Sequence, residues 1–252
     1  MGFELVVLGA SGTFPTPGSA CAGYLLRSDG SDVWVDSGPG TFANLQRHTR
    51  FWELSGLVLS HLHPDHVLDL FPFYYALRFS EESGGRTGVP VWAPEGAEDH
   101  LARVISIERE ADFGEYLEFR SIGEGAKASI GPFEFSFARA VHPIETLMMR
   151  ITAGGRTLAY TADTGPGEHL SDFVAGADTL VCEATLHDPV EELNEVHLTA
   201  EQAGQLAAKA GVGRLVLTHI WPALDAERSA ALARRRFDGE VVVARDNLSI
   251  EV

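Results

Sequence analysis

Residues 60–66 read SHLHPDH, placing His61, His63, Asp65 and His66 within six positions of a 252-residue chain that has only 10 histidines. Neutral imidazole nitrogens and carboxylate oxygens together suit zinc, and also manganese or iron. A polar loop of satisfied histidines is the bland alternative. Against it, an HxHxDH pattern arises from this composition with odds on the order of one in a thousand. Further candidates lie downstream, each just past a short apolar run: His142 after FEFSFARAV, Asp163 after TLAYTA and His219 after RLVLT. The runs read as β-strands. Strand ends gathered at one sheet edge can bring such distant residues into one cleft.

The elements that must do this positioning are readable in outline. FELVVLG (3–9), AGYLLRS (22–28) and DVWVDSG (32–38) read as strands punctuated by Gly, Pro and Ser. A helix is expected near 40–50, then the fully apolar strand GLVLS (56–60). VLDLFPFYYALRFS reads as a buried helix interrupted near Pro72, its aromatics serving core packing ahead of a substrate platform. Strand VPVWAP (89–94) and helix 95–108 follow. Strands are expected at 133–142, 146–154, 156–163, 178–184 and 214–219. Helix 199–211 carries its own end signals: Thr199 with Gln202 forms a capping box and Gly211 fits the residue after the end. A helix near 225–236 and a strand pair, EVVVAR with LSIEV, close the chain. No linker or repeat interrupts residues 1–252, so one α/β domain of face-to-face sheets with outer helices is expected.

Composition narrows the function classes. Apolar residues make up 45% and charged residues 22%, and no run approaches the length of a membrane span. The N-terminus lacks a basic export signal, and Cys21 and Cys182 have no neighbouring cysteine, so a cytoplasmic protein with reduced, buried thiols is expected. The net charge of −17 repels phosphate backbones at long range, but a metal ion can reverse the field locally for a small anion.

HLHPDH, the downstream lone histidine, the TAD aspartate and the TH histidine together resemble the metallo-β-lactamase fold over essentially the whole chain. The resemblance implies a four-layer αββα sandwich with two divalent metal ions, Zn2+ foremost and Mn2+ or Fe2+ as alternatives. It implies one metal on His61, His63 and His142, a second on Asp65, His66 and His219, and Asp163 bridging both. Asp36, of the DSG segment, would support the metal loop. Two such ions suit in-line attack on a phosphodiester, and also attack on a lactone or thioester carbonyl.

VCEATLHDP and HLTAEQA are similar to the ribonuclease Z-like phosphodiesterase branch. That similarity implies that His197 is a catalytic acid oriented by Glu183, beside Asp65 in the catalytic set. His187 follows EAT and is expected near the site, whereas His100 and His169 are expected at the surface. The tRNA-processing members carry a long basic arm between the lone histidine and the bridging aspartate. Here Asp163 follows His142 by only 21 positions, with Arg150 and Arg156 the only basic residues between them. Stable tRNA binding is therefore not expected. The segments HLHPDHVLDLFPFYYALRF and GASGTFPTPGSACAGYLL resemble bacterial members that hydrolyse cyclic nucleotides. The expected partner is a small phosphodiester, with Phe14, Trp221 or the aromatics of 71–79 as base-binding candidates and a homodimer allowed. An RNA endonuclease, a lactone or thioester hydrolase and a non-enzymatic metal-binding regulator are the alternatives.

Overall fold

The computed structural model describes residues 2–105 and 110–252; the end of the expected helix 95–108 lies outside them. The first sheet takes β1 (Glu4–Gly9), β2 (Gly23–Ser28), β3 (Ser31–Val35), β4 (Gly56–Val58), β5 (Val89–Pro94) and β6 (Leu117–Ile122) in that order. The second takes β7 (Lys127–Ile130), β8 (Phe133–Arg139), β9 (Leu147–Ala153), β10 (Arg156–Tyr160), β11 (Thr179–Glu183), β12 (Arg214–Thr218) and β13 (Glu240–Val243). The last strand, β14 (Ser249–Glu251), returns to the first sheet and pairs antiparallel with β1.

Alternation along β1 shows why these runs are apolar throughout. Leu5 and Val7 face the second sheet, where they join Phe135, Ile151 and Tyr160. Val6 and Leu8 face outward onto helices α1 (Thr41–Leu45) and α3 (Leu70–Phe79), beside Trp34, Phe42 and Phe73. Both faces of the strand are buried, so period-2 polarity disappears. The second sheet repeats the design: Met148, Leu180, Cys182 and Leu217 pack outward on α6 (Leu170–Phe173), α7 (Ala200–Ala210) and α8 (Ala226–Ala233). Helix, sheet, sheet, helix is the expected four-layer order. Cys21 and Cys182 are both free and buried, and burial pushes the Cys21 thiol up to about 12.

Several expectations change. The final two strands do not pair with each other: β13 extends the second sheet beside β12, and β14 extends the first. Pro72 does not interrupt a helix. A short helix, α2 (Pro64–Val67), precedes α3, and Pro72 sits in the first turn of α3, where its missing N–H is not needed. The 40–50 helix shrinks to the five residues of α1. Helices α4 (Ala97–Ile105) and α5 (Glu110–Tyr116) complete the α-helices among the described residues. Among the described residues, no helix is long and apolar enough to cross a membrane.

Candidate metal centre

Strand direction assembles the site. In the first sheet β3 and β4 run parallel, and in the second β10, β11 and β12 do. Strand β8 is antiparallel to β9, which is antiparallel to β10, so β8 shares the direction of β10. The residues just beyond the carboxyl ends therefore meet at one edge: Asp36 after β3, His61 after β4, His142 after β8, Asp163 after β10, Glu183 ending β11 and His219 after β12. The HLHPDH loop bends through α2, whose Pro64 starts the helix and whose turn brings Asp65 and His66 back under His61.

Backbone strain concentrates here. Thr13, Asp36, Ala162 and His219 all have left-handed φ, at 67°, 54°, 50° and 52°. Each costs on the order of 1 kcal/mol, repaid by the surrounding contacts. The Thr13 N–H donates to Asp65 Oδ2 at 2.9 Å.

Hydrogen bonding dictates which imidazole nitrogens face the cleft. The Ser60 hydroxyl has one proton, and Asp36 Oδ2 at 2.8 Å can only accept it. Ser60 Oγ must then accept from His61 Nδ1–H at 2.9 Å, which leaves His61 Nε2 bare. Asp36 also accepts from His66 Nδ1–H at 2.9 Å and the Tyr160 hydroxyl at 2.8 Å. The carbonyl of Val196 accepts from His142 Nδ1–H at 3.1 Å. Bare nitrogens thus converge, and His61 Nε2, His66 Nε2 and Asp163 Oδ1 are buried without a hydrogen-bond partner.

This donor set fits divalent metal ions. Two nitrogens on a tetrahedral ion with 2.0–2.1 Å bonds lie ~3.3 Å apart. His142 Nε2 is 3.1 Å from His63 Nδ1, His66 Nε2 is 3.3 Å from Asp163 Oδ1, and His219 Nε2 is 3.2 Å from Asp65 Oδ2. The donors fall into two sets that share Asp163: His61, His63 and His142 with Asp163, and Asp65, His66 and His219 with Asp163. The electrostatics make the same demand. Burial pulls His66 and His219 down, but Asp163, joined by Asp36 at His66 and by Asp65 at His219, outweighs it and holds both above the usual histidine value. Burial first, then the neighbouring His66, His63 and His142, hold His61 well below it against the pull of Asp163. Buried carboxylates call for positive charge at this point, and a divalent cation supplies it.

A second carboxylate organises the other wall. Glu183 is fully buried and accepts four bonds: Thr164 N–H at 2.6 Å and His197 Nδ1–H at 3.0 Å on Oε1, the Thr185 hydroxyl at 2.6 Å and Leu198 N–H at 3.0 Å on Oε2. Burial draws His197 downward, yet the bond and charge of Glu183 prevail and raise it above the ordinary value. His197 stands just before α7, whose capping box between Thr199 and Gln202 and left-handed Gly211 are as expected.

A cleft of about 400 Å3 opens over these groups, lined by His63, Asp65, Asp163, His197 and His219 together with Thr13, Pro64, Thr185, Leu193 and Trp221. All nine residues of the expected site therefore lie at one edge. Of the base-binding candidates, Trp221 lines the cleft. Phe73 and Tyr74 are buried in the outer core, and Phe14 is absent from the lining. His187 does not reach the cleft; its Nε2 bonds the Asp225 carbonyl and Ser229 Oγ at the start of α8. Leu193, Ser60, Tyr160 and Thr185 were not anticipated, and as common residue types they carry no spacing signal.

Four layers with a histidine and aspartate cleft at the carboxyl strand ends define the metallo-β-lactamase type of sandwich. The family model described as the beta-lactamase superfamily domain matches residues 31–220, and the chain belongs to that superfamily. It is 28% identical to the probable metallo-hydrolase YhfI of Bacillus subtilis, across 96% of this chain and 97% of that one. The crystal structure of YhfI superposes with a TM-score of 0.90 over the full length of both chains, at 26% identity. Identity to a ribonuclease Z of Haloferax volcanii is also 28%, covering 100% of this chain and 96% of that one. A diphosphatase from the PhnP family shares the fold, with a TM-score of 0.80, 21% identity and coverage of 100% and 98%.

Proposed function

We propose that the protein is a dinuclear metal-dependent phosphodiesterase acting on a small phosphodiester, with cyclic nucleotides as the substrate class. The observation that carries this reading is the Glu183–His197 pair on the wall of a cleft that already holds two donor sets sharing Asp163. His61, His63 and His142 would hold one ion, Asp65, His66 and His219 the other, and Asp163 both. Bound divalent cations, zinc first among them, would supply Lewis acidity and a water of lowered pKa.

The remaining chemistry belongs to the chain. Departure of an alkoxide from phosphorus needs a proton. His197, whose charged form Glu183 favours, can carry one at the cleft wall, and general acids of this kind contribute typically 10²–10⁴-fold. A carbonyl substrate has less need of that pair. Trp221 and Leu193 offer an apolar surface for a flat base, and the volume suits a small molecule. Similarity to a ribonuclease Z supports a phosphodiester as the bond cut. Against a polynucleotide, none of the residues lining the cleft is Lys or Arg, and the segment supplying Leu193 also carries Glu191, Glu192 and Glu195. Between His142 and Asp163 stands only the β9–β10 hairpin, with no room for a basic arm.

The acid is tested by its leaving group. His197→Ala should lower turnover of a 3′,5′-cyclic nucleotide by roughly 10²–10⁴-fold. Turnover of a p-nitrophenyl phosphodiester, whose leaving group needs no proton, should fall far less. Equal losses on both substrates would remove His197 from the acid role.

A further inference from the structure

Two of the buried carboxylates of the site, Asp36 and Glu183, are wired alike. Asp36 takes one histidine directly, His66, and reaches a second, His61, through the Ser60 hydroxyl. Glu183 takes His197 directly and reaches toward His219 through Thr185. Thr185 Oγ lies 2.6 Å from Glu183 Oε2 and 2.9 Å from His219 Nδ1, and is 1% exposed. Its single proton goes to the carboxylate, so toward His219 the hydroxyl can only accept. His219 Nδ1 must then carry a proton, which turns Nε2 toward Asp65 and Asp163, where the neutral ring offers its lone pair to a cation. Thr185 lies farther from His197, 3.4 Å from Nδ1, and that ring already has Glu183 at 3.0 Å.

We propose that Thr185 is a positioning residue that relays the Glu183 carboxylate to His219, so that one buried carboxylate fixes both His197 and the metal-facing histidine. The inference rests on the reading of His219 as a metal ligand. Partners of this kind set ring orientation and ligand basicity, and their loss typically costs 10–100-fold in metal affinity. The relay touches only the Asp65, His66 and His219 set, so its loss is selective: the set of His61, His63 and His142 keeps its own supports on Ser60 and Val196.

The experiment compares the wild type with Thr185→Val and Thr185→Ser, reading zinc stoichiometry after dialysis and zinc affinity by chelator competition. The wild type should bind two zinc ions. Thr185→Val should keep one at wild-type affinity and weaken the other by about 10–100-fold. Thr185→Ser, which restores the hydroxyl, should stay within a few-fold of wild type. Unchanged affinity at both sites in Thr185→Val, or a loss that Ser does not rescue, would overturn the proposal. Should the valine variant fail to fold, nitrogen NMR of the zinc-loaded wild type decides. His219 should show a protected Nδ1–H and a zinc-bound Nε2, and zinc on Nδ1 would refute the relay. A wild type that binds fewer than two zinc ions would instead remove the dinuclear reading beneath it.

Discussion

Asp36 has no solvent exposure, yet it receives Ser60 N–H, the Ser60 hydroxyl, His66 Nδ1–H and the Tyr160 hydroxyl. Replacing it with Ala would strand these donors in a dry interior. Asp36→Ala should cost about 3 kcal/mol or more in the metal-free protein, measured by denaturant unfolding. A loss below about 1 kcal/mol would mean that water or other groups replace the carboxylate. At this scale the sequence was informative where rare residues cluster. HLHPDH, the TAD aspartate and the TH histidine announced themselves through identity and spacing. Ser60, Thr185 and Tyr160 did not, because a hydroxyl matters here only through the orientation of a distant neighbour.

Elements place these groups by close backbone approach. A Cβ added to Gly165 would stand 1.9 Å from the Glu195 carbonyl, on the segment that carries Val196 and His197. Gly165→Ala should therefore push that segment outward, stretching the His142–Val196 and His197–Glu183 contacts. Turnover should fall by 10-fold or more, on the scale that an ångström of misplacement costs, although no chemical group has been removed. Wild-type kinetics in that variant would show that the segment is not held by this contact. Strand runs such as GLVLS and RLVLT were legible from their apolar content and turn punctuation. Their partners were not. EVVVAR and LSIEV look alike and lie close in sequence, yet they join opposite sheets, because periodicity reports a strand's faces and not its neighbours. Pro72 misled for a related reason: its effect depends on whether it falls in the first turn of a helix or beyond it, and that boundary had been set too early.

Across the whole molecule, the two sheets each bring a buried carboxylate, a hydroxyl and histidines to a common edge. Neither sheet completes either of the two donor sets that share Asp163: His61, His63, Asp65 and His66 come from the first, His142, Asp163 and His219 from the second. A metal ion held by either set would therefore bridge the sandwich. The formal charge of −17 and a cleft lined by no Lys or Arg leave a bound cation, with His197 beside it, as the attraction for an anionic substrate. The most direct test is hydrolysis of 3′,5′-cyclic AMP by purified protein, before chelation, after chelation and after reloading with zinc or manganese, beside Asp65→Ala. The account predicts turnover that disappears on chelation, returns on reloading and is absent from the variant. Metal-loaded protein that leaves cyclic AMP and other cyclic nucleotides intact, while cutting RNA or a lactone, would contradict it.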